Sequence, residues 1–407
     1  MQPITAARLE TLAAGASQDT MPEVVFWSTW VTTNYYHMFA EFMPTLHATL
    51  CKYLGRCTHD AHASFQLVDL LPVPKLLDWP AWFHEALACF TTAPYLHVRS
   101  PEVAGRLVRI GSGWMGVGSS CRARHLCGSK VPMASTTPRA TIERQQMQLW
   151  RERLGSCLGF DTQAEASTSP PLVLLVNRPQ QQARHLENAE QLLQAAQGTL
   201  GGVANVTLRY MEGLTLREQA ALWSRVSVAA YVHGAALSNW IFMPRNSVVV
   251  QMVLRPKPDH THDVLFTEHM ELDLRGVTNW TCLNLINPKH SNVHLLMDRL
   301  QRDPTWQQLS GRQQAAVLRH GDCSVVPPRR RASQCDRGWF TLSANLSMQP
   351  RLVNAALSQA LMQLYAKVGQ SPPPGLQRLW QQLDAEEQSA LQRCTQLPPR
   401  LGPGKAR

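Results

Sequence analysis

Between residues 170 and 255 the sequence alternates short β-branched apolar runs with segments whose apolar residues recur at helical spacing. A run that is apolar at consecutive positions suits a strand covered on both faces, and a helix between two such strands lets them lie parallel. Leu172 to Val176, Val226 to Val232 and Val248 to Val253 are runs of this kind, while Leu186, Ala189, Leu193 and Ala196 mark a helix. Thr215 and Glu218 have the spacing of a capping box and start a helix that continues through Trp223. The order strand, helix, strand, helix, strand, helix, strand predicts an α/β fold built on a parallel sheet with both faces covered.

Within that alternation one turn stands out. The strand ending at Val232 breaks at His233-Gly234-Ala235-Ala236 and opens directly into a short helix that carries Asn239 and is closed by Met243-Pro244. The carboxyl edge of an open α/β sheet is where ligands bind, and the N–H groups that begin the following helix favour an anion. Small residues let a ligand approach the backbone, so phosphate is the natural guest. The same letters also describe a glycine turn beside a hydrogen-bonded core histidine.

Three ordered stretches carry a resemblance. Val232 to Pro244, preceded by Glu218-Gln219, resembles the signature of glycosyltransferase family 61; upstream, Asn177-Arg178, Arg184 and Asn188 match in order, as does Asn34-Tyr35-Tyr36-His37-Met38-Phe39-Ala40-Glu41-Phe42-Met43-Pro44. The resemblance spans roughly residues 20 to 300. It implies a GT-B fold of two Rossmann-like domains facing each other across a cleft, a nucleotide-sugar donor, inversion at the anomeric carbon and residence in the Golgi or endoplasmic reticulum lumen. Ala236 stands where the family usually has glycine.

The resemblance also implies roles. Arg178 and Arg184 face the donor diphosphate, Asn188 and Gln219 orient nucleotide or sugar hydroxyls, and His233, Gly234, Ala235 and Ala236 form the turn facing the donor, with Asn239 on the helix behind it. His37 and Glu41 are four residues apart and share a helix face. They are either an acceptor-side pair, one of which takes the proton of the attacking hydroxyl, or a local pair on an amphipathic helix. No strict Asp-x-Asp occurs, so no metal is expected to hold the pyrophosphate, and cationic side chains with helix N-termini take its charge.

The resemblance, laid on the sequence, implies these domains: a loose leader over 1–20, an acceptor-side Rossmann-like domain over 21–165, a nucleotide-sugar-binding Rossmann-like domain over 170–345, a helix over 350–369 packing back across the domains, and a Pro-rich tail over 370–407. In the amino-terminal part, Val24 to Trp30 reads as a strand, Phe65 to Leu77 as an edge strand and loop, Trp79 to Phe90 as a helix, and Thr141 to Leu154 as a polar helix.

Several motifs are excluded by context. Gly111-Ser112-Gly113-Trp114-Met115-Gly116 spells the dinucleotide fingerprint, yet no apolar helix follows and no acid stands about twenty residues on, so it reads as a glycine-rich loop. Gly155-Ser156-Cys157-Leu158-Gly159 follows a charged helix, whereas a nucleophile elbow follows a strand. His260, His262, Asp263 and His269 alternate in a polar loop and read as exposed side chains, as does Arg329-Arg330-Arg331.

Charge and cysteine usage narrow the partners. The net charge is +10, and residues 99 to 153 hold ten Lys/Arg against three Asp/Glu, read as a solvated basic face. No nucleic-acid-binding motif accompanies it. Ten cysteines suit an oxidising compartment, with Cys51 and Cys57, Cys121 and Cys127, and Cys323 and Cys335 close enough for local disulfides. Asn205, Asn279 and Asn345 head sequons. Met1 to Thr20 does not read as a signal peptide and no window of about twenty residues is apolar throughout, so membrane association requires an amino-terminal anchor beyond this sequence.

The expected activity is inverting, metal-independent transfer of xylose, N-acetylglucosamine or arabinose from a UDP-sugar to a glycan or glycoprotein hydroxyl. A catalytically inactive GT-B protein that binds nucleotide or glycan is the alternative. A basic scaffold for acidic partners is the third.

Overall fold

The structure is a computed structural model that describes residues 20–21, 24–27, 35, 39, 43–54, 65–69, 80–93, 96–97, 109–110, 113–115, 136–253, 278–279, 281–286, 293–320, 322–327, 335, 339, 344–383 and 391–393. The chain divides into two units, Met1–Phe160 with Thr215–Ala220, and Asp161–Leu214 with Ala221–Arg407.

In the first unit, β1 (Thr20–Met21), β2 (Val24–Trp27), α1 (Met43–Leu54), β3 (Gln66–Asp69), α2 (Ala81–Ala88), β4 (Leu96–His97), β5 (Arg109–Ile110), β6 (Gly113–Met115) and α3 (Thr136–Leu158) follow in order. Four strands pair in parallel in the order β4-β3-β2-β6, and β1 pairs separately with β5. Two expectations change here. The strand expected at an edge, β3, lies between β4 and β2, because Pro72 and Pro74 fall beyond its end and remove no ladder donor. Part of the glycine-rich stretch, Gly113–Met115, is a strand paired with β2.

The buried side of α3 is aromatic and, unexpectedly, cationic. Trp150 stacks on Phe90 with ring centroids 5.2 Å apart and planes inclined by 7°. Arg153 is only 1% exposed, donates from Nε to the Cys89 carbonyl at 2.7 Å and from Nη2 to the Phe90 carbonyl at 3.3 Å, and lies 4.9 Å from the Phe90 ring centroid. Arg151 is equally buried, 5.5 Å from the Phe160 ring centroid. The solvated basic face expected over 99–153 therefore loses two of its ten cations to the core, where carbonyls and ring faces replace water.

Cys89 and Cys157 are bridged across 68 residues, tying the end of α2 to the end of α3. A local rule of cysteine pairing misses such a bridge. Cys157 is thus a cystine half at the end of a helix, in keeping with the rejected elbow reading. Cys323 and Cys335 are bridged as expected from their spacing. Cys51 and Cys282 are each half of a separate disulfide. Cys57, Cys121 and Cys127 lie outside the described residues.

The second unit begins with β7 (Leu172–Asn177), α4 (Ala189–Leu200), β8 (Asn205–Tyr210), α5 (Leu216–Trp223) and β9 (Val228–Val232). The first turn of α5 belongs to the first unit, where Glu85 Oε2 accepts from Leu216 N at 2.8 Å. Its capping box is formed as expected: Thr215 N donates to Glu218 at 2.8 Å and Glu218 N to Thr215 Oγ1 at 3.2 Å. The Thr215 N–H and the Thr215 hydroxyl, which donates to Glu218 Oε2 at 2.8 Å, hold the Glu218 carboxyl below its usual range.

A 3-10 helix (Ala235–Phe242) and β10 (Val248–Val253) come next, then β11 (Thr281–Ile286), β12 (Val293–Leu295), α6 (Met297–Leu300), α7 (Pro304–Gln307), α8 (Gly311–His320), β13 (Ala344–Leu346), α9 (Pro350–Lys367), α10 (Pro374–Gln381) and β14 (Leu391–Arg393). The main sheet runs β14-β11-β10-β9-β7-β8, with the last five named strands parallel and β14 antiparallel to β11. The alternation expected over 170–255 is present.

One face of this sheet packs Val173, Leu175, Ala230 and Val250 against Leu192, Ala196 and Leu200 of α4 and Val353, Leu357 and Leu361 of α9. The expected crossing helix, α9, covers the sheet of its own unit because its apolar residues form one broad buried stripe facing it. The region expected to be a Pro-rich tail contributes α10, with Leu376 buried in the same core, and the edge strand β14. A smaller core gathers Trp306 and Trp339, edge to face at 5.2 Å, beside the Cys323–Cys335 bridge. Among the described residues no helix is long and apolar enough to cross a membrane.

Replacing both Cys89 and Cys157 with serine is expected to lower stability by about 2–4 kcal/mol, since the bridge closes a long loop. Urea unfolding of the variant beside the parent, each under non-reducing conditions, measures the loss.

Candidate active site

The strand order places the first strand of the second unit, β7, between β8 and β9, so successive strands are laid down outward in opposite directions from the β7–β9 junction. Such a switch point opens a crevice at the carboxyl ends of its two strands. Here those ends are Asn177 and Val232, and the residues that follow them are Arg178 and His233-Gly234.

The loop after β7 is held by its own first side chain and by a distant strand. Buried Asn177 accepts on Oδ1 from Arg178 N at 2.8 Å and Leu186 N at 2.7 Å, and donates from Nδ2 to the Leu186 carbonyl at 2.9 Å. Arg184 has a φ of 66°, in the left-handed region that costs a side-chain-bearing residue energy. Its N–H donates to the Ala344 carbonyl at 2.7 Å, and beyond it the loop is laced to β13: Leu346 N donates to the His185 carbonyl at 2.9 Å, Glu187 N to the Leu346 carbonyl at 2.9 Å. His185 N donates to Asn345 Oδ1 at 3.2 Å. Asn188 joins the same clamp, donating from Nδ2 to the Met348 carbonyl at 2.7 Å and accepting on Oδ1 from Met348 N at 3.1 Å.

Both arginines of that loop lean on Gly234. A Cβ built there would sit 2.5 Å from Arg178 Nη2, 3.2 Å from its Cζ and 3.4 Å from Arg184 Nη1. Glycine is needed for space, because its φ of 167° is extended and open to any residue. The two guanidinium groups are therefore no farther apart than the sum of their distances to that one point. Like charges so close repel, and an anion lying between them relieves the repulsion. Burial pushes the Arg178 guanidinium below its ordinary value, and the Glu212 carboxylate pulls it part of the way back. The group remains cationic at neutral pH.

His233 is 7% exposed and structurally pinned. Its N–H donates to the Met252 carbonyl at 3.0 Å, and its Nδ1 lies 2.8 Å from Gln251 Oε1. An amide oxygen accepts only, so in this pairing Nδ1 carries a proton. Gln251 was missed in the sequence, although a single polar residue inside Val248–Val253 was a visible signal. Asn345 was missed as a site residue because it lies more than 150 positions from the loop it holds.

Of the remaining candidates, Ala235 and Ala236 are half-buried at the start of the 3-10 helix and Asn239 is buried within it. Gln219 is buried in the part of α5 that belongs to the first unit. His37 and Glu41 lie outside the described residues, as do His260, His262, Asp263, His269 and Arg329 to Arg331. Among the described residues, no group of three or more His, Cys, Asp or Glu stands close enough to hold a metal. The sequons also separate: Asn205 is exposed, Asn279 is exposed with Nδ2 bonded to Asn246 Oδ1 at 2.7 Å, and Asn345 is 5% exposed and engaged with the arginine loop.

Comparison with protein families matches residues 35–250 to the family Glycosyltransferase 61. Among curated proteins nothing matches the chain. The matched span covers just over half of the 407 residues, takes in β7, the arginine loop and the Gly234 turn, and ends before β13.

Gly234→Ala forces the far end of Arg178 aside without touching the core, so the fold is expected to survive while affinity for an anion probe, inorganic pyrophosphate, falls about tenfold, the worth of one charge-assisted contact. Asn345→Ala leaves His185 N–H without its acceptor and is expected to weaken pyrophosphate binding in the same direction. Calorimetric titration of pyrophosphate, with thermal midpoints taken alongside, reads both.

Proposed function

The chain belongs to the glycosyltransferase 61 family, and we propose that it transfers a sugar from a UDP-sugar, with inversion, to a hydroxyl of a glycan or glycoprotein. The observation that carries this reading is the convergence of Arg178 and Arg184 on Gly234 at the switch point of a parallel sheet.

In that transfer the bond between the anomeric carbon and the β-phosphate oxygen breaks, and a bond forms from the same carbon to the acceptor oxygen. The acceptor hydroxyl loses its proton to a base, and UDP leaves with the bonding electron pair. The developing negative charge needs fixed donors that require no reorganisation as the bond breaks. Arg178 and Arg184 fill that role in this proposal, with the planar guanidinium matching a diphosphate and no metal required. His233 faces the donor with its ring anchored on Gln251, and Asn188 acts by holding the loop through Met348. The base is His37 or Glu41, in a GT-B arrangement whose donor half is the second unit. The sugar is xylose, N-acetylglucosamine or arabinose.

Disulfides joining Cys89 to Cys157 and Cys323 to Cys335 support passage through an oxidising compartment, such as the lumen of the endoplasmic reticulum or Golgi. One observation favours a second reading, a donor-binding protein without turnover: Ala236 occupies the position where the family usually has glycine.

Slow release of free sugar from one member of a UDP-sugar panel separates the two. Hydrolysis is expected for a single donor, unaffected by EDTA and reduced about a hundredfold or more in Arg178→Ala. Tight UDP binding with no turnover of any donor supports the second reading. Near-normal transfer in both His37→Ala and Glu41→Ala removes the amino-terminal base from the mechanism.

A further inference from the structure

Arg178 and Arg184 account for a diphosphate, and the nucleoside of the proposed donor needs a seat of its own. The carboxyl end of β8 supplies one. This strand lies beside β7, on the side away from the switch point, and its last residue is in register with the last residue of β7: Tyr210 pairs with Asn177, the residue immediately before Arg178. Neighbouring strands are about 5 Å apart, so the end of β8 stands one strand spacing from where Arg178 leaves the sheet.

Three features of that end are unusual for a strand terminus. Tyr210 is one of few large apolar side chains that are well exposed among the described residues, at 40%. Met211 is held inward, its Sδ accepting the Trp223 indole N–H at 3.1 Å, while its two neighbours Tyr210 and Glu212 are exposed. Gly213, with φ of 82°, then turns the chain sharply toward α5, leaving Glu212 at the tip of the edge. The Glu212 carboxylate is near enough to act electrostatically on Arg178.

We propose that Tyr210 and Glu212 form the nucleoside subsite, with Glu212 accepting hydrogen bonds from the ribose hydroxyls and the Tyr210 ring providing the surface on which the base lies. The proposal rests on the reading of Arg178 and Arg184 as the diphosphate cradle. An exposed carboxylate suits a vicinal diol, because it is acceptor-only and each hydroxyl can donate to it. In doubly wound dinucleotide folds an acid beyond the second strand does this for a ribose 2′-hydroxyl, and Glu212 follows the second strand here in a sheet of the same outward winding. A flat aromatic face tolerates any base and contributes through stacking. The competing role for Glu212 is simpler: a counter-charge that steadies Arg178 and touches no ligand.

Calorimetry on the full chain with three probes, UDP, 2′-deoxy-UDP and inorganic pyrophosphate, separates these roles. Glu212→Gln is expected to weaken UDP about five- to tenfold, as for a hydrogen bond that loses its charge, to narrow the preference for UDP over 2′-deoxy-UDP, and to leave pyrophosphate within about twofold. Tyr210→Ala is expected to weaken both nucleotides and spare pyrophosphate, and Tyr210→Phe to restore them. Equal changes for UDP and pyrophosphate in Glu212→Gln, or unchanged UDP affinity in both Glu212→Gln and Tyr210→Ala, overturn the subsite while leaving the cradle intact. Failure of pyrophosphate to bind the unaltered chain, or binding that Arg178→Ala does not alter, overturns the cradle and the subsite with it.

Discussion

Everything at the carboxyl edge of the second sheet depends on the hydrogen bonds between β13 and the loop that carries Arg178 and Arg184. Two guanidinium groups crowded against one bare backbone position repel each other, and a flexible loop would let them part. The loop cannot relax freely: Asn177 closes it from within, and the carbonyls and amides of 344–348 take up the polar groups of Arg184, His185, Glu187 and Asn188. The left-handed backbone at Arg184 is stabilised by the same lattice. Backbone strain and like-charge repulsion are thus held in place by this lattice, and an anion lying between the two guanidinium groups would relieve the second of them.

The first unit shows a different balance. Its described core is built on Trp150, Phe90 and two buried arginines, with cation, ring and disulfide packed within a few residues of one another. Arg153 satisfies part of its hydrogen-bonding capacity on carbonyls at the end of α2, the same point at which Cys89 is bridged to Cys157. Charge in that position specifies which end of α2 meets which end of α3, and the covalent bridge fixes the choice.

How much of this was legible in the residues alone divides along physical lines. Burial on both faces writes itself into a strand as an unbroken apolar run, so β7, β9 and β10 could be read directly, and Thr215 with Glu218 announced α5 through a bond that spans only three residues. Local rules also found Cys323 with Cys335. They failed where the partner is remote: Cys89 with Cys157, Arg153 with the Phe90 ring, Asn345 with His185. Asn345 is instructive, since its letters spell a glycan acceptor while its burial makes it a loop clamp. The position of Gly234 was legible, but the reason for it was not, because open space for two arginines leaves no trace in a single sequence.

The separation between Arg184 and β13 also has a bearing on synthesis. Domains tend to form as they emerge, amino-terminal parts first. When β7, β9 and the Gly234 turn have emerged, the segment 344–348 that clamps the arginine loop still lies more than a hundred residues farther along the chain. The sheet is then able to assemble around its apolar strands, but Arg184 has no carbonyl at 344 to hold it. The loop that carries Arg178 and Arg184 therefore takes its final form late, when 344–348 emerge and pair with it, after the strands it stands on.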